Sequence, residues 1–291
     1  MGIPIQVLKL LLQENAVKPI KGRFASVGVQ TVNFSLDQVF DTFPEAPEML
    51  GRVRHVDEST RHASGSVTDR QLLEGLFDID YSTIDRSDYE GADILADLTK
   101  PVDQNMHGTF DFIYSGGSLD NVFDPKTMLV NCANLLRPGG RFLSYDVNQG
   151  IIGAYLRITP EWLYSYFAVN EWSDCQVFQL HQEEAGSSRF DYETSVYRWK
   201  PFFERDPKFD YFSSSRSHPG IHYVAAIAEK GASSTCDKVP TQLQYIDKDA
   251  VDWTQMEKVY STSKRRRRNV EKHEKRTIFD SSHYEFIESG F

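Results

Sequence analysis

Along the start of the chain the apolar residues Ile5, Leu8 and Leu12 recur at helical spacing, and Val7, Leu10 and Leu11 widen the face, so residues 5–12 are predicted as an amphipathic helix ended by Pro19 and Gly22. Residues 23–29 (RFASVGV) form a short, largely apolar run with a glycine near its end, the pattern of a buried strand entering a turn. A short helix is expected over residues 34–43, stopped by Pro44, and a loop over residues 45–66, which are rich in Pro, Gly, His and charge without a period. Thr68 is placed to cap a helix over residues 69–76, whose Leu72, Leu73 and Leu76 share one face. Three β-like runs follow, at 77–84 (FDIDYSTI), 92–96 (ADILA) and 110–115 (FDFIYS). Then come a helix over 126–136, a turn at 137–140 (RPGG) and a strand over 141–145. Strands alternating with helices predict a doubly wound parallel sheet of the α/β class, with helices on both faces and every strand's C-terminal end on one edge. Thr159-Pro160-Glu161 starts an aromatic helix, and residues 177–180 and 221–228 read as closing strands. The expected organisation is an N-terminal helix (1–21), one α/β domain (22–230) and a C-terminal appendage (231–291).

Composition narrows this further. With 291 residues, 40% hydrophobic and 25% charged, the chain is neither fibrous nor wholly disordered. Its three cysteines show no C-x-x-C spacing, which argues against a disulfide framework or a zinc site and leads us to expect a reducing, cytoplasmic setting and no metal. The longest apolar stretch, residues 3–12, contains Gln6 and Lys9 and is far short of the ~20 residues a membrane span needs. The formal charge of −10 disfavours general nucleic-acid binding. One segment opposes that balance: the run 264–276, opening on Lys264 and closing on Arg276, carries +6. It is either a solvated helix face or a contact for an anionic partner.

The ends of the predicted strands carry Gly28, Asp85, Asp97 and Ser115-Gly116-Gly117 in order. Glycine allows close approach of backbone to a ligand, and a carboxylate after the second strand accepts hydrogen bonds from ribose hydroxyls, so the edge suits a nucleoside-containing ligand. The run FDFIYSGGSLDNVFD (110–124) followed by LLRPGGRFL (135–143) resembles the fourth-strand motif and post-motif of class I S-adenosylmethionine-dependent methyltransferases. DRSDYEGADILADL (85–98) and residues 149–170 resemble a bacterial branch associated with surface-polysaccharide gene clusters.

This resemblance, over about residues 22–230, implies S-adenosylmethionine as cofactor, with Gly28, Val29 and Gln30 at its methionine end, Asp85 on the ribose, Asp97 and Leu98 at the adenine, and Ser115 and Gly116 beside the sulfonium. The glycine-rich first motif is reduced here to SVGVQ (26–30), and related sequences carry histidines where this one has Leu119-Asp120-Asn121 and Asn148-Gln149-Gly150. Asp120 and Asp146 are then the candidate bases, for deprotonating an acceptor hydroxyl. Asn148, Gln149, Tyr155 and Arg157 are candidates for binding a small-molecule or glycan acceptor. The branch implies O-methylation of a carbohydrate, a sugar nucleotide or a glycan-linked phosphate. An inactive scaffold of the same fold is the alternative, and a nicotinamide enzyme is disfavoured because no G-x-G-x-x-G follows the first strand.

Overall fold

The computed structural model describes residues 2–34, 67–150, 153–184, 192–204, 220–266 and 284–289. Beyond Phe34 itself, the helix expected at 34–43 lies outside them, as do the loop at 45–66 and the basic run after Arg266. The architecture is α/β and Rossmann-like, flanked by helices, and divides into two compact units. Unit 1 comprises Met1–Ser118 and Asp124–Phe142; unit 2 comprises Leu119–Phe123 and Leu143–Phe291.

Unit 1 contains β1 (Gly2–Ile3), α1 (Ile5–Val17), β2 (Lys21–Val27), β3 (Thr31–Val32), α2 (Asp69–Leu76), β4 (Asp78–Asp85), β5 (Ile94–Leu95), β6 (Phe110–Gly116) and α3 (Pro125–Leu135). The Phe24, Tyr81 and Phe112 rings stack across neighbouring strands, with Phe24 5.0 Å from Phe112 and 5.7 Å from Tyr81. They align because β2 pairs in parallel with β4 on one side, Phe24 opposite Tyr81, and with β6 on the other, Phe24 opposite Phe112. β5 extends the same parallel order, Ile84 opposite Ile94. The C-terminal ends of β2, β4, β5 and β6 therefore share one edge. α2 begins as its sequence predicts: the Thr68 hydroxyl accepts from the Gln71 N–H while the Gln71 side chain accepts from the Thr68 N–H, a complete capping box. At the end of α1 the Arg141 guanidinium is buried against Glu14 at 2.9 Å and also donates to the carbonyls of Lys18 and Pro19.

The predicted turn at 137–140 is instead part of a long strand, β7 (Leu136–Gln149), with Gly139 left-handed at φ 79° inside it. β7 begins in unit 1 and ends in unit 2.

Unit 2 further contains α4 (Pro160–Val169), β8 (Asp174–Glu184), β9 (Tyr192–Trp199), β10 (Ile221–Glu229), α5 (Val251–Arg266) and β11 (Tyr284–Ser289). Here the expectation of parallel strands fails. β8 pairs antiparallel with both β9 and β10, and β9 with β11. β9, β11 and α5 were not expected. Polar residues such as Thr194, Ser195 and Arg198 are interleaved with Val196, Tyr197 and Trp199, so β9 offers no apolar run to recognise. α4 starts at Thr159 and Pro160 as expected, and most of its aromatic residues are core: Tyr164, Tyr166 and Phe167 are buried, as is Trp172 just beyond the helix, while Trp162 is partly exposed. The Tyr164 hydroxyl donates to the Met256 carbonyl of α5, and Tyr166 donates to the Cys236 carbonyl at 2.8 Å. Among the described residues no helix is long and apolar enough to cross a membrane.

Candidate functional site

At the C-terminal edge of unit 1, β2 leads directly into Gly28, whose N–H donates to the Ile84 carbonyl of β4 at 2.8 Å. Gly28 adopts φ 74°, a left-handed conformation that favours glycine. A side chain there would lie 3.5 Å from Asp85 Oδ2 and 3.7 Å from the Gln30 amide nitrogen. The structure thus brings Gly28, Gln30 and Asp85 together. Asp85 Oδ1 accepts from the Ser87 N–H at 3.0 Å while Oδ2 faces Gly28.

The Gln30 side chain folds back to donate to the Val27 carbonyl at 2.7 Å. Its Oε1 is buried without a hydrogen-bond partner among the described residues and lies where any side chain on Gly116 would stand, 2.3 Å from that Cβ position. The Ser115 hydroxyl is likewise buried and unpartnered. Val29 is partly exposed beside them. Asp97 is engaged locally: the Thr99 hydroxyl donates to it at 2.6 Å and Lys100 pairs with it at 3.1 Å, and these contacts with the Thr99 N–H bring its carboxyl down to about 2. The Leu98 side chain is core, and its carbonyl accepts from Asn131, which also holds the Lys100 carbonyl.

Sequence reasoning missed the residue that ties this edge together. Asp69, in the first turn of α2, is buried, and its Oδ2 accepts from both the Gln30 N–H and the Tyr81 hydroxyl at 2.7 Å. Burial and the adjacent Asp69 carboxylate push the Tyr81 phenol well above its usual range. Asp93, the last residue of the DYEGAD run, accepts from the Thr83 N–H and hydroxyl and pairs with Arg70 at 2.7 Å. Between these groups is a cavity of about 190 Å³ lined in part by Val29, Gln30, Asp69, Arg70, Tyr81 and Thr83. It is smaller than the ~300–1,000 Å³ of typical ligand pockets, so it accommodates at most part of a nucleoside-sized molecule.

Unit 2 carries the other candidates. Leu119–Asn121 form a 3-10 turn beside β7, and the Leu119 N–H donates to Asp146 Oδ1 at 3.1 Å. Asp146 is fully buried, and its Oδ2 has no hydrogen-bond partner among the described residues. Desolvation first, and the nearby charge of Asp120 second, push its carboxyl well above the usual range. Asp120 is also buried and raised by desolvation, opposed by the Val147 N–H. The two aspartates therefore form a buried carboxyl pair that retains a proton more readily than exposed acids. Asn148 is less available: its amide donates to the Ile158 carbonyl at 2.8 Å and accepts from Gln179 at 3.3 Å. Gln149 is partly exposed, while Arg157 and Tyr155 are exposed. Tyr155 faces Phe123, another exposed ring not singled out from the sequence, with centroids 6.1 Å apart. Among the described residues no cluster of three or more His, Cys, Asp or Glu could hold a metal ion.

Residues 64–144, less than a third of the chain, match the family model described as a methyltransferase domain. No curated protein matches the chain. Among solved structures it is similar to phosphoethanolamine N-methyltransferase 2 of Haemonchus contortus in complex with S-adenosyl-L-methionine, at 12% identity over 77% of this chain and 52% of that one, TM-score 0.40. It is also similar to a SAM-dependent methyltransferase of Archaeoglobus fulgidus, at 11% identity over 77% and 94%, TM-score 0.40. A SAM-dependent methyltransferase of Thermotoga maritima gives 13% identity over 77% and 89%, TM-score 0.35. The chain spans about half the length of the Haemonchus protein.

Proposed function

We propose that the protein is an S-adenosylmethionine-dependent methyltransferase acting on an oxygen of a carbohydrate, sugar nucleotide or glycan-linked phosphate. The observation that carries the reading is the left-handed Gly28 set beside the Asp85 carboxylate and the Gln30 amide at the end of two adjacent parallel strands. The orphaned Ser115 hydroxyl lies on the neighbouring strand, opposite Val27, and offers a further polar contact. These residues fit a nucleoside cofactor: Asp85 would hold ribose hydroxyls, Gly28 and Val29 would admit the chain by their backbone, and Ser115 and Gly116 would border its reactive end. When bound, the cofactor supplies an electrophilic methyl group on sulfur. Asp97 and Leu98 would border the adenine mainly through backbone, since their side chains are already engaged.

In unit 2, Asp120 is the better candidate to take the acceptor hydroxyl proton, because Asp146 is the more strongly buried acid and retains its own. Gln149 and Arg157 would contact the acceptor, and Arg157 would favour an anionic one. Calorimetric titration with S-adenosylmethionine and S-adenosylhomocysteine tests the proposal. Saturable binding lost in Asp85→Ala is expected; a folded wild-type protein that binds neither overturns it and favours an inactive scaffold.

A further inference from the structure

We propose that β1 is a strap on the candidate cofactor loop and that Tyr114 is the positioning residue that fastens it. This rests on the methyltransferase reading above and adds how the loop after Gly28 is held for the cofactor. β1 pairs in parallel with β3, Gly2 opposite Thr31 and Ile3 opposite Val32, in a two-stranded sheet of its own. The Asn33 N–H donates to the Ile3 carbonyl at 3.0 Å. The pairing leaves no room for a side chain at residue 2: a Cβ on Gly2 would lie 1.9 Å from the Thr31 carbonyl oxygen and 2.8 Å from its carbon. Gly28, Val29 and Gln30 therefore belong to a loop whose far end is clamped by residues 2–3.

Tyr114 ties that clamp to the strand carrying Ser115 and Gly116. Buried in β6, it donates its hydroxyl to the Gly2 carbonyl at 2.9 Å, across 112 residues of chain. A side chain on Gly116 would stand 2.6 Å from the same hydroxyl and 2.3 Å from the orphaned Gln30 Oε1, so strap, loop and strand end converge at one point. The strap itself is slight, since a two-stranded ladder of two residues is marginal on its own. α1, which follows Pro4, is anchored separately through the buried Val7, Leu8 and Leu11, so residues 2–3 form a local unit that opens without unfolding the rest. A cofactor that binds only the closed loop has an apparent affinity scaled by the closed fraction. By reciprocity, its binding closes the strap further.

Hydrogen exchange of the full chain, read by mass spectrometry over residues 29–34 with and without S-adenosylhomocysteine, tests the strap. Saturating S-adenosylhomocysteine should slow exchange there in the wild type. Tyr114→Phe keeps the ring and removes only the hydroxyl; it should speed exchange of the unliganded protein roughly fivefold and weaken S-adenosylhomocysteine in calorimetric titration by up to the same factor. Gly2→Val, which meets the Thr31 backbone, should weaken it more. A tyrosine that serves stability alone would leave exchange over residues 29–34 insensitive to the ligand. A wild type that binds S-adenosylhomocysteine without slower exchange there, or a Tyr114→Phe variant that binds it as tightly as the wild type, overturns the strap alone. A wild type that binds neither S-adenosylhomocysteine nor S-adenosylmethionine sinks the enzyme reading and the strap with it.

Discussion

Asp69 in unit 1 and Asp146 in unit 2 are both buried acids, but they are used in opposite ways. Asp69 receives the Gln30 N–H, the Tyr81 hydroxyl and the Arg70 N–H, so its lone pairs are occupied in holding the loop after β2 against α2 and β4. Asp146 receives the Leu119 N–H, keeps one oxygen without a hydrogen bond among the described residues, and has a second carboxyl nearby. The first arrangement gives rigidity at the candidate cofactor edge. The second raises the proton affinity of a buried carboxyl.

The largest test removes the satisfied acid. Asp69→Ala leaves the Gln30 N–H and the Tyr81 hydroxyl without their partner, and at about 1–3 kcal/mol for each stranded group the expected loss in chemical denaturation is about 3 kcal/mol. A loss below about 1 kcal/mol would mean that Asp69 is not the organiser described here.

The pH dependence sharpens the contrast. Below the unfolded aspartate pKa of about 3.9 both states hold the Asp146 proton and its contribution is fully present. Above that value the unfolded chain releases the proton while the folded one keeps it, so stability falls with rising pH until the raised folded pKa is passed. The slope is about 1.4 kcal/mol per pH unit for one proton. Asp146→Asn should flatten it in denaturation curves above the unfolded aspartate value of about 3.9; an unchanged slope would assign the effect elsewhere. Asp97 acts with the opposite sign, since its lowered carboxyl contributes above the unfolded value and the contribution is lost as pH falls towards about 2.

Tyr81→Phe removes one of two donors to the same Asp69 oxygen, so a loss of about 1.5 kcal/mol is expected, smaller than for Asp69→Ala. The smallest effect belongs to the exposed rings. Phe123→Ala and Tyr155→Ala should shift stability by no more than about 0.5 kcal/mol. A thermal shift well beyond that would show that the pair is structural.

Features carried by neighbouring residues were legible in the sequence. The Thr68 cap, the helix after it and the start of α4 at Thr159-Pro160 each depend on a few consecutive side chains. The order Gly28, Asp85, Ser115 also anticipated a shared edge, because parallel pairing aligns strand ends. The role of Asp69 was hidden because one of its partners, Gln30, lies 39 residues away in the chain. The occupation of Asn148 by Gln179, 31 residues distant, was hidden for the same reason. β9 escaped because the buried polar residues Thr194, Ser195 and Arg198 are mixed among its apolar ones, and α5 escaped because Trp253, Met256, Val259 and Tyr260 are its few core contacts in a polar stretch.

β7 belongs to both units without a linker between its halves, and Leu119–Phe123 of unit 2 is inserted in the sequence of unit 1. During synthesis, unit 1 therefore lacks its last segment until residue 142 has emerged, by which time the first five residues of unit 2 are already made. Domains commonly fold one after another as the chain grows. Here a fragment cut at 118 lacks the last segment of unit 1, and one cut at 142 ends inside β7, so both should be poor expression units.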